Sequence, residues 1–121
     1  EVIEQITAGK VIHVKDLTPR RDHVFLDDFI RFLCLANKDF RNESYNVASG
    51  VSLSVAEIIA ICQEVWDTDL PVVSAEVERK NEIPETRANI DKAKAHFGWE
   101  PLFSFEQGIQ AMKDRMENET N

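Results

Sequence analysis

Apolar residues follow two patterns along the chain. In one they recur every three to four residues, and in the other they form short runs rich in β-branched residues. The first pattern predicts helices at residues 1–8, 27–36, 54–65, 89–97 and 104–116. The second predicts strands at residues 11–14, 23–26, 44–48 and 71–77. The resulting order, α-β-β-α-β-α-β-α-α, favours an α/β layer fold. A length of 121 residues fits one domain.

Polar residues with capping chemistry mark four of the predicted helix starts, three of which are at Ser54, Asn89 and Ser104. Ser54 with Glu57, and Ser104 with Gln107, have the spacing of a capping box, in which each side chain bonds the backbone amide of the other residue. Asn89 is predicted to cap the short helix that follows it. These signals fix helix starts more firmly than apolar spacing does.

The helix predicted at 27–36 has a well-defined apolar stripe. Asp27 is the expected N-cap, and Phe29, Ile30 and Leu33 share one side of the helix. We therefore predict that these three side chains face the core. Cys34, on the same helix, is expected to be a reduced thiol in the core, as is Cys62.

Composition and charge exclude several classes of function. The net charge is −8, from 22 acidic and 14 basic residues, which argues against a protein that grips nucleic acid through its phosphates. No apolar run approaches the roughly 20 residues of a membrane helix, and no signal-peptide pattern opens the chain, so a cytoplasmic location is expected. Because residues 1–8 already read as helix without a cap, we expect further chain upstream.

The chemistry of a dinucleotide-dependent enzyme is missing from this sequence. The four glycines form no glycine-rich phosphate loop, and Tyr45 is followed four residues later by Ser49 instead of lysine. His13, His23 and His96 have no metal-ligand spacing. We therefore expect this chain to carry no catalytic residue and to bind no cofactor and no metal.

Four segments, taken together and in order, are nevertheless specific. They are RRDHVFLDD at 20–28; YNVASG at 45–50 with SVAE at 54–57; RKNEIP at 79–84 with NIDKA at 89–93; and FGWEP at 97–101 with FEQG at 105–108. This set resembles the C-terminal portion of the extended short-chain dehydrogenase/reductases, in the NAD-dependent epimerase/dehydratase family of the UDP-galactose 4-epimerase type.

The resemblance implies that substrate binding and catalysis belong to different parts of the protein. Residues 1–116 would form the nucleotide-sugar-binding C-terminal lobe, with 117–121 as a frayed tail. The N-terminal Rossmann domain of such a protein would hold NAD or NADP and the catalytic Ser/Thr, Tyr and Lys. This chain alone is then expected to be inactive.

The resemblance also assigns three substrate-binding residues. Arg21 and Arg79 match the two family arginines that reach the diphosphate of the nucleotide sugar, and we expect both to face one cleft. Guanidinium groups suit this task because their planar fork binds phosphate oxygens in pairs. Glu82 stands where the family has an aspartate that bonds the ribose. Spacing alone leaves open that both arginines pair with neighbouring acidic residues instead.

Partners follow from the same comparison. A nucleotide-diphosphate sugar and the missing Rossmann domain are the expected partners. A homodimer is also expected, because a strand at 44–48 without its neighbours would leave an open edge beside apolar residues such as Val47, Ile58 and Ile61. The alternative is a stand-alone, non-catalytic nucleotide-sugar-binding or interaction module, either a pseudoenzyme or half of a split enzyme.

Overall fold

The computed structural model describes residues 2–39, 42–76 and 83–119. Its helices are α1 Val2–Thr7, α2 Leu26–Lys38, α3 Val55–Trp66, α4 Asp91–Phe97 and α5 Phe105–Glu119. Its strands are β1 Ile12–Val14, β2 Arg20–Asp22, β3 Ser52–Ser54 and β4 Val72–Ser74. The predicted order of elements is confirmed. Helix α5 runs three residues past its expected end at Met116.

The strands form two small sheets. β1 pairs with β4 in parallel, with Ile12 opposite Val72, and β2 pairs with β3 antiparallel, with Arg20 opposite Ser54. The segment that begins at Pro84 runs along the other side of β2, where the Arg20 amide donates to the Pro84 carbonyl at 2.9 Å. β2 is therefore held between two neighbours.

The buried apolar side chains form two clusters. In the first, α1, β1, α3 and α5 meet through the buried side chains Ile6, Ile12, Ile59, Cys62 and Ile109. In the second, the FGWEP segment at 97–101 brings Trp99 against Phe32 of α2 and Ala93 of α4. No helix in the described ranges has the length and apolarity that a membrane crossing requires.

The two capping boxes turn out differently. At α5 both bonds form: Ser104 Oγ accepts from the Gln107 amide at 3.1 Å, and Gln107 Oε1 accepts from the Ser104 amide at 2.9 Å. At α3 only one of the two bonds of the capping box forms. Ser54 Oγ accepts from the Glu57 amide, but the Glu57 carboxylate binds Arg20. The N-cap of α4 is Ile90, so Asn89 lies one residue before it. The Asn89 side chain still accepts from the Asp91 amide, at 2.9 Å.

The prediction that Asp27 caps α2 is wrong. The N-cap is Phe25, which has no side-chain cap bond, and Asp27 lies inside the first turn with its carboxylate 2.6 Å from Arg115. Phe25 is fixed by packing, since its ring lies against Gly108, where an added Cβ would come within 3.0 Å of it. The absence of a side chain at Gly108 is what lets α5 approach this closely.

The predicted buried face of α2 is also wrong. Phe29, Ile30 and Leu33 are exposed, whereas Asp28 and Phe32 are buried. Asp28 decides the rotation of the helix because its carboxylate accepts from the backbone amides of residues 102 and 103. These amides lie beneath α2, so the helix turns that side inward.

Cys34 follows the same rotation. It is exposed, against the prediction that it lies in the core, whereas Cys62 is buried as expected. Both thiols are free. Burial raises the pKa of the Cys62 thiol above its ordinary value, which keeps that group protonated and unreactive.

Two predicted strands lie elsewhere. Pairing involves residues 20–22 instead of 23–26, and 52–54 instead of 44–48. Residues 44–48 are not a strand. Tyr45 packs instead against α4: its hydroxyl lies 2.8 Å from Nδ1 of His96, and its ring contacts the ring of Phe97. The open strand edge on which the dimer prediction relied is therefore absent.

Candidate functional site

The two adjacent arginines of β2 have opposite orientations. Side chains alternate along a strand, so Arg20 and Arg21 lie on different faces of the β2–β3 ribbon. The Arg20 guanidinium is held by Glu57 at 2.9 Å and by the Ser52 carbonyl at 3.0 Å, with Glu85 at 3.7 Å. Arg20 therefore ties β2 to β3, to α3 and to the segment after residue 83.

Arg21 lies on the other face. It is opposite Leu53 in the register, and directly opposed residues of an antiparallel pair share one face. Its Nη1 donates to the Arg20 carbonyl at 2.7 Å, and the residue is half-buried. Asp27, one neighbouring carboxylate that could have paired with Arg21, forms its ion pair with Arg115.

A cleft of about 610 Å³ opens on the Leu53 face. Apolar residues from three elements line one part of it: Leu53, Ile61 and Phe105. Charged or titratable residues line another part: His23, Asp91, Lys94, Glu100 and Glu106. Lys94 and Glu100 form an ion pair at 3.3 Å. An apolar cleft with a few convergent polar groups is the usual form of a small-molecule site.

Asp22 fixes the strand that carries Arg21. Its Oδ1 accepts from the amide and hydroxyl of Ser49 at 2.8 and 2.5 Å, and its Oδ2 accepts from the amides of Gly50 and Ala88 at 2.9 and 3.2 Å. Burial acts to raise the pKa of Asp22, but the bonds from Ser49, Ala88 and Gly50 together hold that pKa below its usual value. A charged Asp22 thus joins β2 to two loops that are distant in sequence.

The other two predicted site residues cannot be placed beside Arg21. Arg79 and Glu82 lie outside the described residues, so the expectation that Arg21 and Arg79 share one cleft stays a prediction. Arg87 was not singled out from the sequence. It lines a second cavity of about 330 Å³ together with Gly50. No spacing signal distinguishes this arginine.

In the described ranges, no three His, Cys, Asp or Glu side chains are grouped in a way that could hold a metal ion. The described part of the site is a cleft with apolar walls and a few charged groups, an arrangement suited to a small organic molecule.

Comparison with known structures shows the same fold in nucleotide-sugar enzymes. The UDP-glucose 4-epimerase of Thermotoga maritima, solved with UDP-glucose, is 25% identical and superposes with a TM-score of 0.83 over 99% of this chain and 39% of its own. The UDP-glucuronic acid 4-epimerase of Bacillus cereus, solved with UDP-glucuronic acid and NAD, is 23% identical, with a TM-score of 0.83 over 97% of this chain and 38% of its own.

Sequence comparison agrees with the structural one. The UDP-glucose 4-epimerase of Halalkalibacterium halodurans is 30% identical over 92 residues, which are 76% of this chain and 25% of that protein. The chain thus spans between a quarter and two-fifths of the length of these relatives. The sequence family described as GDP-mannose 4,6 dehydratase matches residues 1–112. The chain therefore belongs to that family, with the fold of the C-terminal lobe of the NAD-dependent epimerases and dehydratases among the extended short-chain dehydrogenase/reductases.

Proposed function

We propose that this chain is the substrate-binding part of an NAD-dependent nucleotide-sugar epimerase or dehydratase. Arg21, together with Arg79 and Glu82, would hold the nucleoside diphosphate of the sugar substrate. The dinucleotide, NAD or NADP, would be held by the portion of the family fold that this chain does not span. The hydride chemistry would also take place in that portion.

The opposite orientations of the two β2 arginines support this proposal. The Arg20 guanidinium donates to the Glu57 carboxylate and to the Ser52 carbonyl, so the role of Arg20 is structural. Arg21 lies on the other face of the ribbon, which it shares with Leu53, a residue that lines the 610 Å³ cleft. In a chain of net charge −8, the guanidinium of Arg21 is a local positive charge that attracts phosphate.

Replacing Arg21 is expected to weaken the binding of nucleotides. Arg21→Ala should raise the dissociation constant for UDP by about tenfold or more, since a hydrogen bond to a charged group is worth roughly 1.5–3 kcal/mol. Calorimetric titration with UDP, dTDP and GDP measures this. Arg115→Ala is the matched control, because Arg115 is an exposed arginine of α5 that pairs with Asp27.

The titration can contradict the proposal in two ways. Equal affinity of the Arg21→Ala and wild-type chains would remove Arg21 from the site. Binding of none of the three nucleotides by the folded wild-type chain at about 1 mM would reject the substrate-binding role for this chain and favour an interaction module.

No turnover is expected from the chain alone. The sequence has neither a glycine-rich dinucleotide loop nor a Tyr-x-x-x-Lys pair, and the family's chemistry passes through NAD. Incubation with NAD and UDP-, dTDP-, GDP- and CDP-sugars, followed by chromatography, should show no new sugar. A mock purification from the same host is the control, and conversion above it would refute this expectation.

A homodimer remains part of this proposal, although the strand edge first expected to form it is absent.

A further inference from the structure

A short segment that follows β4 in the chain runs along β2, on the edge opposite β3. The Arg20 amide donates to the Pro84 carbonyl at 2.9 Å, and the Thr86 amide donates to the Arg20 carbonyl at 3.0 Å. Arg20 and Glu85 thus form a parallel β-bridge. The backbone of Arg20 therefore fixes the position of residues 84–86, which we call the 84–86 segment.

The Arg21 guanidinium lies at the same edge of β2. Its Nη1 donates to the Arg20 carbonyl at 2.7 Å, and that carbonyl also accepts from the Thr86 amide. A nitrogen of the Arg21 side chain and the amide of Thr86 are therefore bound to one oxygen atom. The side chain assigned to the diphosphate thus lies directly beside the 84–86 segment.

The side chain of Arg20 forms a second tie to the 84–86 segment. Its Nε lies 3.7 Å from the Glu85 carboxylate, and its Nη1 lies 2.9 Å from the Glu57 carboxylate of α3. The side chains of Glu57 and Glu85 are almost equally exposed, at 45% and 46%. One ion pair thus joins Arg20 to the 84–86 segment, and the other joins it to α3.

We propose that Arg20 is a positioning residue for diphosphate binding, a role that rests on the function proposed above. Arg20 does not touch the ligand. It holds the 84–86 segment beside the Arg21 guanidinium, through its own backbone and through the ion pair with Glu85.

The position of the 84–86 segment matters because of what precedes it in the sequence. Arg79 and Glu82, the other two residues of the proposed site, come five and two residues before Pro84. A segment that the fold already holds in place loses less conformational freedom when a ligand binds, so the affinity is higher. Loosening the segment should therefore weaken nucleotide binding.

Glu85→Gln separates positioning from charge. Removing a carboxylate near a diphosphate site lowers the local negative charge, which by itself would leave the affinity unchanged or raise it. Positioning predicts the opposite sign. The dissociation constant for the tightest-bound of UDP, dTDP and GDP should rise about threefold, as expected for the loss of one exposed ion pair. Calorimetric titration of the 121-residue chain measures this change.

Glu57→Gln is the matched control. It removes the same charge from the other partner of Arg20, at nearly the same exposure, and it leaves the pair with Glu85 in place. Its nucleotide affinity should stay within about 1.5-fold of that of the wild type, although it removes the shorter of the two contacts. Equal losses of affinity in the two variants would restrict Arg20 to a role in stability and overturn the proposal.

A double variant tests whether Glu85 acts through Arg20. Arg20→Gln alone should weaken nucleotide binding by about threefold or more. Adding Glu85→Gln to it should have no further effect, because two residues that act as one unit are not additive. Independent losses that multiply would contradict the positioning role.

Hydrogen exchange of the Thr86 amide tests the position of the 84–86 segment without a ligand. This amide is bonded to the Arg20 carbonyl, so its exchange reports how often the segment leaves β2. Exchange should be about threefold faster in Glu85→Gln and unchanged in Glu57→Gln. An unchanged rate in Glu85→Gln would overturn the proposal.

The titrations separate this proposal from the function on which it rests. If the wild-type chain binds none of the three nucleotides, both are overturned. If Arg21→Ala weakens binding while Glu85→Gln binds as tightly as the wild type, only the positioning role of Arg20 is overturned.

Discussion

Asp28→Ala is expected to lower the free energy of unfolding by about 3–5 kcal/mol, the largest effect we predict for a single substitution. The Asp28 side chain is 1% exposed, and its carboxylate accepts from the amides of Leu102 and Phe103 at 3.0 and 3.2 Å. It also pairs with Arg31 at 3.3 Å. Alanine would leave two amides without their acceptor in a place that water reaches poorly, and the Arg31 guanidinium would keep only the Glu100 carbonyl.

Urea denaturation followed by circular dichroism measures this change. With a slope of roughly 1–2 kcal/mol per molar urea for a chain of this size, the midpoint should fall by at least about 1.5 M. Asp27→Ala is the control, since the neighbouring carboxylate forms an exposed pair with Arg115 and should cost about 1 kcal/mol or less. Equal losses in the two variants would show that the backbone amides do not need Asp28.

Asp22→Asn is expected to cost about 2–3 kcal/mol at neutral pH. Both carboxylate oxygens of Asp22 accept two hydrogen bonds each, from Ser49 on one side and from Gly50 and Ala88 on the other. Asparagine has one acceptor oxygen, so its amide group must face donors on one of the two sides. The loops at 49–50 and 88 would then lose their common anchor.

The same substitution should change the dependence of stability on pH. The pKa of Asp22 is lower in the folded chain than its ordinary value near 3.9, so the folded state favours the charged form. Its contribution is complete above about pH 4 and is lost as the pH falls through the folded value. Unfolding measured from pH 7 to pH 2 should therefore show a smaller loss of stability at acid pH for Asp22→Asn than for the wild type.

Asp16 provides the control for this profile. Its pKa is also lowered, by bonds from the amide and hydroxyl of Thr18, but these bonds are local and exposed. Asp16→Asn should flatten the acid profile with little loss of stability at neutral pH. A large loss there would mean that exposed local bonds matter as much as the long-range bonds of Asp22.

The candidate site was predictable from the sequence only in part. Arg21 was selected by its motif, and its role in binding stays a prediction. The 610 Å³ cleft was not foreseen, because it is formed by residues from distant segments such as His23, Leu53 and Phe105. Only the folded chain brings these side chains together.

The sequence by itself determined the order of the elements, the helix starts at Ser54 and Ser104, and the family. These features depend on interactions between residues a few positions apart, such as the bonds between Ser104 and Gln107, or on the order of the motifs. The sequence therefore contains all the information needed to predict them.

Tertiary structure decided which side of α2 is buried, which of the two β2 arginines shares a face with Leu53, and where the short strands pair. Strands of three residues carry too little alternation to fix their own register. Their positions depend on bonds between distant residues, namely Asp22 with Ser49 and Ala88, and Asp28 with the amide of Leu102. An apolar stripe on both sides of a helix likewise leaves the buried side undetermined until a buried carboxylate finds its donors.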